Sequence, residues 1–467
     1  MLLSGRLSSI MSTIQPSTEK GGSVSTFQAR KSFVRAGLST VAILVLAACG
    51  GGSNSTGGGL GSGDLLVGVI APFTGADAGL GPAYYSACLA AAPSINANGG
   101  VGGRKVKCQQ FDTRGEPADA FPAANAMIAS HSSNLMAVVG CTSDEAATVA
   151  PVIDRAHIPM FCMTGQSEFN KTSLKYFHRL VPADIFDAYA MVGSALYGPD
   201  HTPYKRAALV FGNDIGSQAF VQPATNAFTK LGGTIAINQP ITLGASSYRT
   251  EVAAMLATHP DVIFTEALGS AGTYLGEVKT LNGGKMIPFI GTSATIDPTW
   301  FQQVKSAIGV NDLVANYRGV DLGYSFSGPA YTEFLTNLNA ASSQFADAPK
   351  YKQRGSTLHL YDGIIMTALA MVATNSSDPK VYNSKIKEIA NGVSGATVVN
   401  TYKDGVAALK AGKSIRFVGA GGENNFDQYN NSVSGYILVK YDAQGNEVRV
   451  AQLTPDQTKA ISDAGGI

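Results

Sequence analysis

Short apolar runs alternate with longer segments of helical spacing along most of the chain. Leu65-Leu66-Val67-Gly68-Val69-Ile70 ends at Pro72 and predicts a buried parallel strand. Tyr84 to Asn98 predicts a helix. Asn98-Gly99-Gly100-Val101-Gly102-Gly103 stops it, with glycines free to take left-handed angles. The alternation continues with strands over 105–112, 136–140 and 158–162 and helices over 119–130 and 144–156. It restarts with strands over 206–211, 234–241, 262–265 and 286–290 and helices over 217–231, 248–258 and 272–281. Strands separated by helices give a parallel sheet with crossovers on both faces. The expected fold class is therefore α/β, with two doubly wound parallel-sheet lobes.

The last third breaks the alternation. A strongly apolar helix is predicted over 357–373, and more amphipathic ones over 379–392 and 402–411. Two strand-like runs, 435–441 and 447–453, flank a turn at Asp442-Ala443-Gln444-Gly445. This portion is too short for a third domain and is expected to complete the first two. Crossings between lobes are placed near Pro182, Leu322 and Lys413. Lobe 1 would then hold 64–182 and 323–412, and lobe 2 would hold 183–322 and 413–455. Residues 456–467 would form a C-terminal tail.

The N-terminal stretch reads differently. Arg30, Lys31 and Arg35 precede an apolar run over 36–48 that is too short to span a bilayer. It ends in Leu46-Ala47-Ala48-Cys49, which resembles the lipobox of bacterial lipoproteins. A Gly/Ser tether over 49–63 follows. The implied mature protein starts at a lipidated Cys49 and is anchored outside the cytoplasmic membrane, in the periplasm if there is an outer membrane. No other apolar run reaches transmembrane length. Hydrophobic residues make up 45% of the 467 and charged residues 14%, enough to bury large cores. Net charge is +1 with no basic stripe, so nucleic-acid binding has no electrostatic support.

Apart from Cys49 there are four cysteines, an even number in an oxidising compartment. The helix after the first strand would pack on the second strand, which pairs Cys88 with Cys108. Cys141 and Cys162 end successive strands, about 4.8 Å apart if neighbours, which pairs them too. Four buried thiols are the alternative.

Five stretches together resemble the type I periplasmic binding proteins, specifically the leucine/isoleucine/valine-binding receptors of ABC transporters. They are Val67 to Gly75, Ile95 to Lys105, Phe111 to Pro117, Val138 to Ser143, and Tyr361-Asp362. The resemblance implies a clamp of two lobes on a three-stranded hinge, closing on a small ligand and docking on a membrane permease. It also implies site residues. The loop Cys141-Thr142-Ser143 opens a helix whose N–H groups suit an anion. Thr164-Gly165-Gln166 matches a second contact, and Leu80 a wall for an apolar side chain. In lobe 2 the match falls on Asp214 and Ile215, where many relatives carry tyrosine. Gly291-Thr292-Ser293 stands where amino-acid binders usually have an acid for the ammonium, with Glu266 as a possible substitute. Asp144 and Glu145, if they face the cleft, would repel a carboxylate and favour a polar or cationic ligand. Tyr324 lies where it would seal the cleft.

Other chemistry finds no support. Gly412-Lys413-Ser414 lacks the glycine of a phosphate loop at Ala407, and no strand precedes it. The six histidines have no zinc spacing, and no Gly-x-Ser-x-Gly elbow occurs. The chain is expected to be a monomeric, non-catalytic solute receptor without metal or cofactor, for an amino acid, amide or related small polar ligand. The same clamp feeding a signalling partner, or a secreted enzyme on this scaffold, are the alternatives.

Overall fold

In a computed structural model that describes residues 59–466, the first apolar run forms Leu65–Ala71 (β1), buried at every position. After it come Leu80–Ala97 (α1), Val106–Asp112 (β2), Pro117–His131 (α2), Leu135–Gly140 (β3), Ser143–Arg155 (α3), Met160–Cys162 (β4) and Phe177–Arg179 (β5). These strands form a parallel sheet in the order β2-β1-β3-β4-β5. The inner strands β1, β3 and β4 carry no polar face because helices cover both sides, with α1 on one and α2 and α3 on the other.

The chain crosses at 180–183 into the second lobe. There it forms Asp184–Tyr197 (α4), Arg206–Gly212 (β6), Ile215–Gln218 (α5), Val221–Lys230 (α6), Thr234–Ile241 (β7) and Arg249–Ala257 (α7). Val262–Glu266 (β8), Ala271–Leu281 (α8), Phe289–Gly291 (β9), Pro298–Ile308 (α9), Val310–Asn316 (α10) and Tyr317–Leu322 (β10) follow. It returns at 323–327 to add Gly328–Ala340 (α11), Gly355–Thr374 (α12), Pro379–Asn391 (α13), Thr397–Val399 (β11), Tyr402–Lys410 (α14), Ile415–Gly419 (β12) and Gly422–Glu423 (β13) to lobe 1. The last elements, Tyr436–Tyr441 (β14), Glu447–Ala451 (β15) and Pro455–Gly465 (α15), belong to lobe 2. Its sheet runs β15-β14-β10-β9-β8-β6-β7, with β14 and β15 antiparallel to their neighbours. The short β11-β12-β13 sheet is mixed.

Several expectations change. The third crossing lies at 427–435, not near Lys413, because Ile415, Phe417, Ala420 and Phe426 are buried in the lobe 1 core. The expected C-terminal tail is helical over 456–465. Thr454 and Gln457 form a capping box that starts α15, and Ile461 is fully buried in lobe 2. The helix read over 217–231 is two, α5 and α6, with Phe220 between them packed on Phe211. Helix α12 is long and apolar enough to pass as a membrane span, yet most of it is packed inside lobe 1. Its length reflects a core helix buried on all sides.

Cys88 on α1 is bonded to Cys108 on β2, with Cα atoms 6.0 Å apart. Cys141 after β3 is bonded to Cys162 at the end of β4, with Cα atoms 5.5 Å apart. Cys49 and residues 1–58 lie outside the described residues.

Candidate functional site

A cavity of about 110 Å³ lies between the lobes. Its walls are loops at the carboxyl ends of strands: Thr142, Ser143 and Asp144 after β3, Asp214, Gly216 and Ser217 after β6, Glu266 ending β8, and Ser293 after β9. Ligands of open parallel sheets bind at this end. The volume is well below the roughly 300 Å³ at which pockets for drug-sized ligands begin, so only a small occupant fits.

Of the residues expected from sequence, Leu80, Thr142, Ser143, Asp214, Glu266, Ser293 and Tyr324 line this cavity. Five do not. Cys141 is fully buried in its disulfide and has a left-handed φ of 56°. Thr164 is fully buried one layer deeper, where its Oγ1 lies 3.1 Å from Ser143 Oγ and accepts the Gln166 N–H. Gly165 packs against Asp184, whose carboxylate stands where a Cβ would be. Gln166 is tied to the hinge through its carbonyl, which accepts from Arg179. Ile215 points to solvent with 61% of its surface exposed, because α5 turns its backbone rather than this side chain toward lobe 1. These five support the wall or miss it.

The acids at the α3 start divide. Glu145 turns inward, with Thr113 and Thr142 donating to it, and does not reach the cavity. Asp144 lines the cavity and bridges the lobes, accepting the Gly216 N–H at 3.0 Å. Burial and the neighbouring Asp214 push Asp144 up to about 6. Glu266 accepts from Thr292 and is pushed well above the usual carboxylate range by burial.

The pattern reading missed the hinge-side floor. Asp184 and Asp187 sit in the first turn of α4, and Asp321 lies one residue before the end of β10. Asp187 Oδ2 accepts the Ser293 N–H (3.1 Å) and hydroxyl (2.6 Å). Burial pushes Asp184 to about 8 and Asp187 to about 7. The Asp-x-x-Asp spacing just past the Pro182 crossing was the available signal, since acids near a helix start often go no further than the helix dipole.

Arg354, just before α12, is the cavity's one cationic side chain. Its Nη1 donates to the Ser293 and Ile296 carbonyls of lobe 2, each at 2.9 Å, and its Nε lies 3.4 Å from Asp297. A lobe 1 residue thus grips lobe 2. Beside it, Gln353 accepts the Glu447 N–H at 3.2 Å. Tyr324, at the second crossing, stands over Gly355, where a Cβ would meet its hydroxyl at 2.2 Å. Among the described residues no group of three or more His, Cys, Asp or Glu side chains is arranged to hold a metal ion.

Two doubly wound lobes, three crossings and a small cavity at the strand ends define a type I periplasmic binding protein. Residues 65–446 match the family described as periplasmic binding protein, and the chain belongs to it. It is 26% identical over 204 residues to an amino acid binding protein of Pseudomonas aeruginosa, which covers 43% of this chain and 53% of that one. It is 30% identical over 205 residues to the Leu/Ile/Val-binding protein BraC3 of Rhizobium johnstonii, covering 43% and 54%. The chain thus spans about half the length of the curated relatives it matches. The branched-chain amino acid transporter substrate-binding protein LivJ of Streptococcus pneumoniae, solved with isoleucine, superposes with a TM-score of 0.65 at 17% identity. That match covers 84% of this chain and all of LivJ, and it shows the shared fold.

Proposed function

We propose that this protein is the extracytoplasmic solute-binding receptor of an ABC importer. It captures an amino acid, amide or related small polar ligand by closing its lobes, and it performs no chemistry on that ligand. Cys49 carries the lipid that tethers it to the membrane, and the closed form docks on the permease. The observation that carries the reading is the cavity walled by both lobes, across which Asp144 meets Gly216 and Arg354 meets Ser293. Such contacts exist only when the lobes are together, so a ligand that fits between them favours closure by mass action. Family membership and the names of the two curated relatives support the amino-acid-like class.

The test is solution scattering with thermal unfolding against amino acids, amides and small carboxylates. A true ligand at one hundred times its dissociation constant adds about 2.7 kcal/mol of stability and contracts the scattering envelope. An envelope unchanged by every stabilising compound would refute capture by closure. Labelled palmitate entering the wild-type chain but not Cys49→Ala checks the tether.

A further inference from the structure

The charge of the cavity wall goes further than its shape. Asp77, Asp144, Asp184, Asp187, Asp214, Glu266 and Asp321 face it, against the single cation Arg354. Arg354 is already engaged with two carbonyls and Asp297. A ligand carboxylate would find no uncommitted cation here. At the α3 start, where a helix would favour an anion, Asp144 already stands.

An acidic lining alone could serve only the protein's own helix starts. A second observation points outward. Asp187 is 2% exposed and lines the cavity, yet its Oδ1 has no hydrogen-bond partner. Native proteins pair nearly all such atoms, so an unpaired buried carboxylate oxygen on a cavity wall marks a place for a donor. Asp184, one helical turn earlier on α4, keeps Oδ2 unpartnered as well. The lining also includes the apolar side chains of Leu80, Met163, Phe220 and Leu268. Cationic head and short apolar stem are the complementary shape.

We infer that the ligand is a small organic cation, an amine or amidinium on a short apolar stem with no carboxylate, its head donating to Asp187 Oδ1 and Asp184 Oδ2. This rests on the receptor reading above and narrows its ligand class. A metal ion is the weaker occupant, because no three ligating side chains among the described residues converge. The apolar side chains would also have nothing to cover.

The test holds the stem constant and varies the charge. The full chain is titrated by calorimetry and followed by scattering with 3-methylbutylamine, 4-methylpentanamide, 4-methylpentanoate, leucine and calcium chloride. The amine is expected to bind at least tenfold tighter than leucine or the carboxylate and to contract the envelope. In Asp187→Asn the amine should lose at least tenfold in affinity while the amide changes less than twofold. Asp184→Asn repeats the comparison if the first variant unfolds. Tighter binding by leucine or the carboxylate, or closure by calcium alone, overturns the cation while leaving a receptor that closes. If the amine binds without contracting the envelope, capture by closure fails; if none of the five binds while another stabilising compound contracts it, the cation alone fails.

Discussion

Asp362 carries part of the family resemblance for a structural reason. The Tyr361-Asp362 pair is part of the family resemblance, yet it lies within α12 and does not line the cavity. Asp362 is fully buried and accepts the backbone N–H groups of Ala420 (2.8 Å) and Gly421 (2.9 Å) and the Asn424 amide (2.9 Å). Gly419 is glycine because a Cβ there would stand 2.0 Å from the same carboxylate. Asp362→Ala would leave three buried donors unpaired, at about 1–3 kcal/mol each, so a loss of roughly 3 kcal/mol or more is expected in chemical denaturation. Buried acids also set the pH response. Burial raises Asp77, Asp187 and Asp362 to about 7, Asp184 to about 8 and Asp144 to about 6, against roughly 4 in the unfolded chain. The folded chain therefore binds more protons than the unfolded one between about pH 4 and pH 8, and stability falls as pH rises through that window. Buried His178 and His359, lowered to about 4 by desolvation, act in the opposite sense between about pH 4 and 6.5 but are outnumbered by the acids. Asp64, lowered by its hydrogen bond to Lys107, does so only below about pH 4. The ligand-free chain is expected to melt higher at pH 5 than at pH 8. A melting temperature rising steadily from 5 to 8 would refute this assignment.

Among the elements, those that alternate cleanly were legible and those set by tertiary contact were not. β1, β3, β6 and β8 are apolar runs long enough to stand out, and each lies near its expected place. β5 and β9 have three residues each, too few for a periodicity, and β5 was missed. α4 is buried along most of its length, so it lacks the polar face that marks a surface helix. The same physics limited the site. Ser143, Asp214 and Glu266 follow recognisable strands and reached the cavity, whereas Asp187, Asp321 and Arg354 depend on how the crossings fold back. Edge strand β2 gives the clearest test at this scale. Much of it faces solvent, and it is held by β1 on one side and by the Cys88–Cys108 bond to α1. Closing a loop of 20 residues contributes roughly 3 kcal/mol by restricting the unfolded chain. The paired change Cys88→Ser with Cys108→Ser is expected to lower stability by about that amount under oxidising conditions. Under full reduction the difference from wild type should vanish, and a difference that persists would assign the loss to packing.

For the whole molecule, the proposed closure puts weight on contacts between the lobes, and Arg354 is the one whose charge is spent entirely across them. It is 7% exposed, and its three partners, Ser293, Ile296 and Asp297, all belong to lobe 2. Asp297 in turn caps α9, accepting the Thr299 and Trp300 N–H groups, so the grip reaches the buried aromatic cluster of Trp300, Tyr317 and Tyr441. Two hydrogen bonds from a charged donor are together worth roughly 3 kcal/mol. Arg354→Met keeps the length of the side chain and removes them, so the closed form should lose about that much relative to the open one. Affinity for any ligand captured by closure then falls on the order of a hundredfold. A local role in ligand contact would lower affinity too, and scattering separates the cases. If Arg354 acts through closure, the ligand-free variant is already more extended than the ligand-free wild type, and saturating ligand contracts both to the same envelope. Identical ligand-free envelopes would confine its part to the cavity wall. The chain's one tryptophan is a local reporter, since the backbone N–H of Trp300 is bonded to the carboxylate that Arg354 leaves behind. Its emission should shift in Arg354→Met whether or not the lobes part, so it reports loss of the ion pair and scattering alone decides closure.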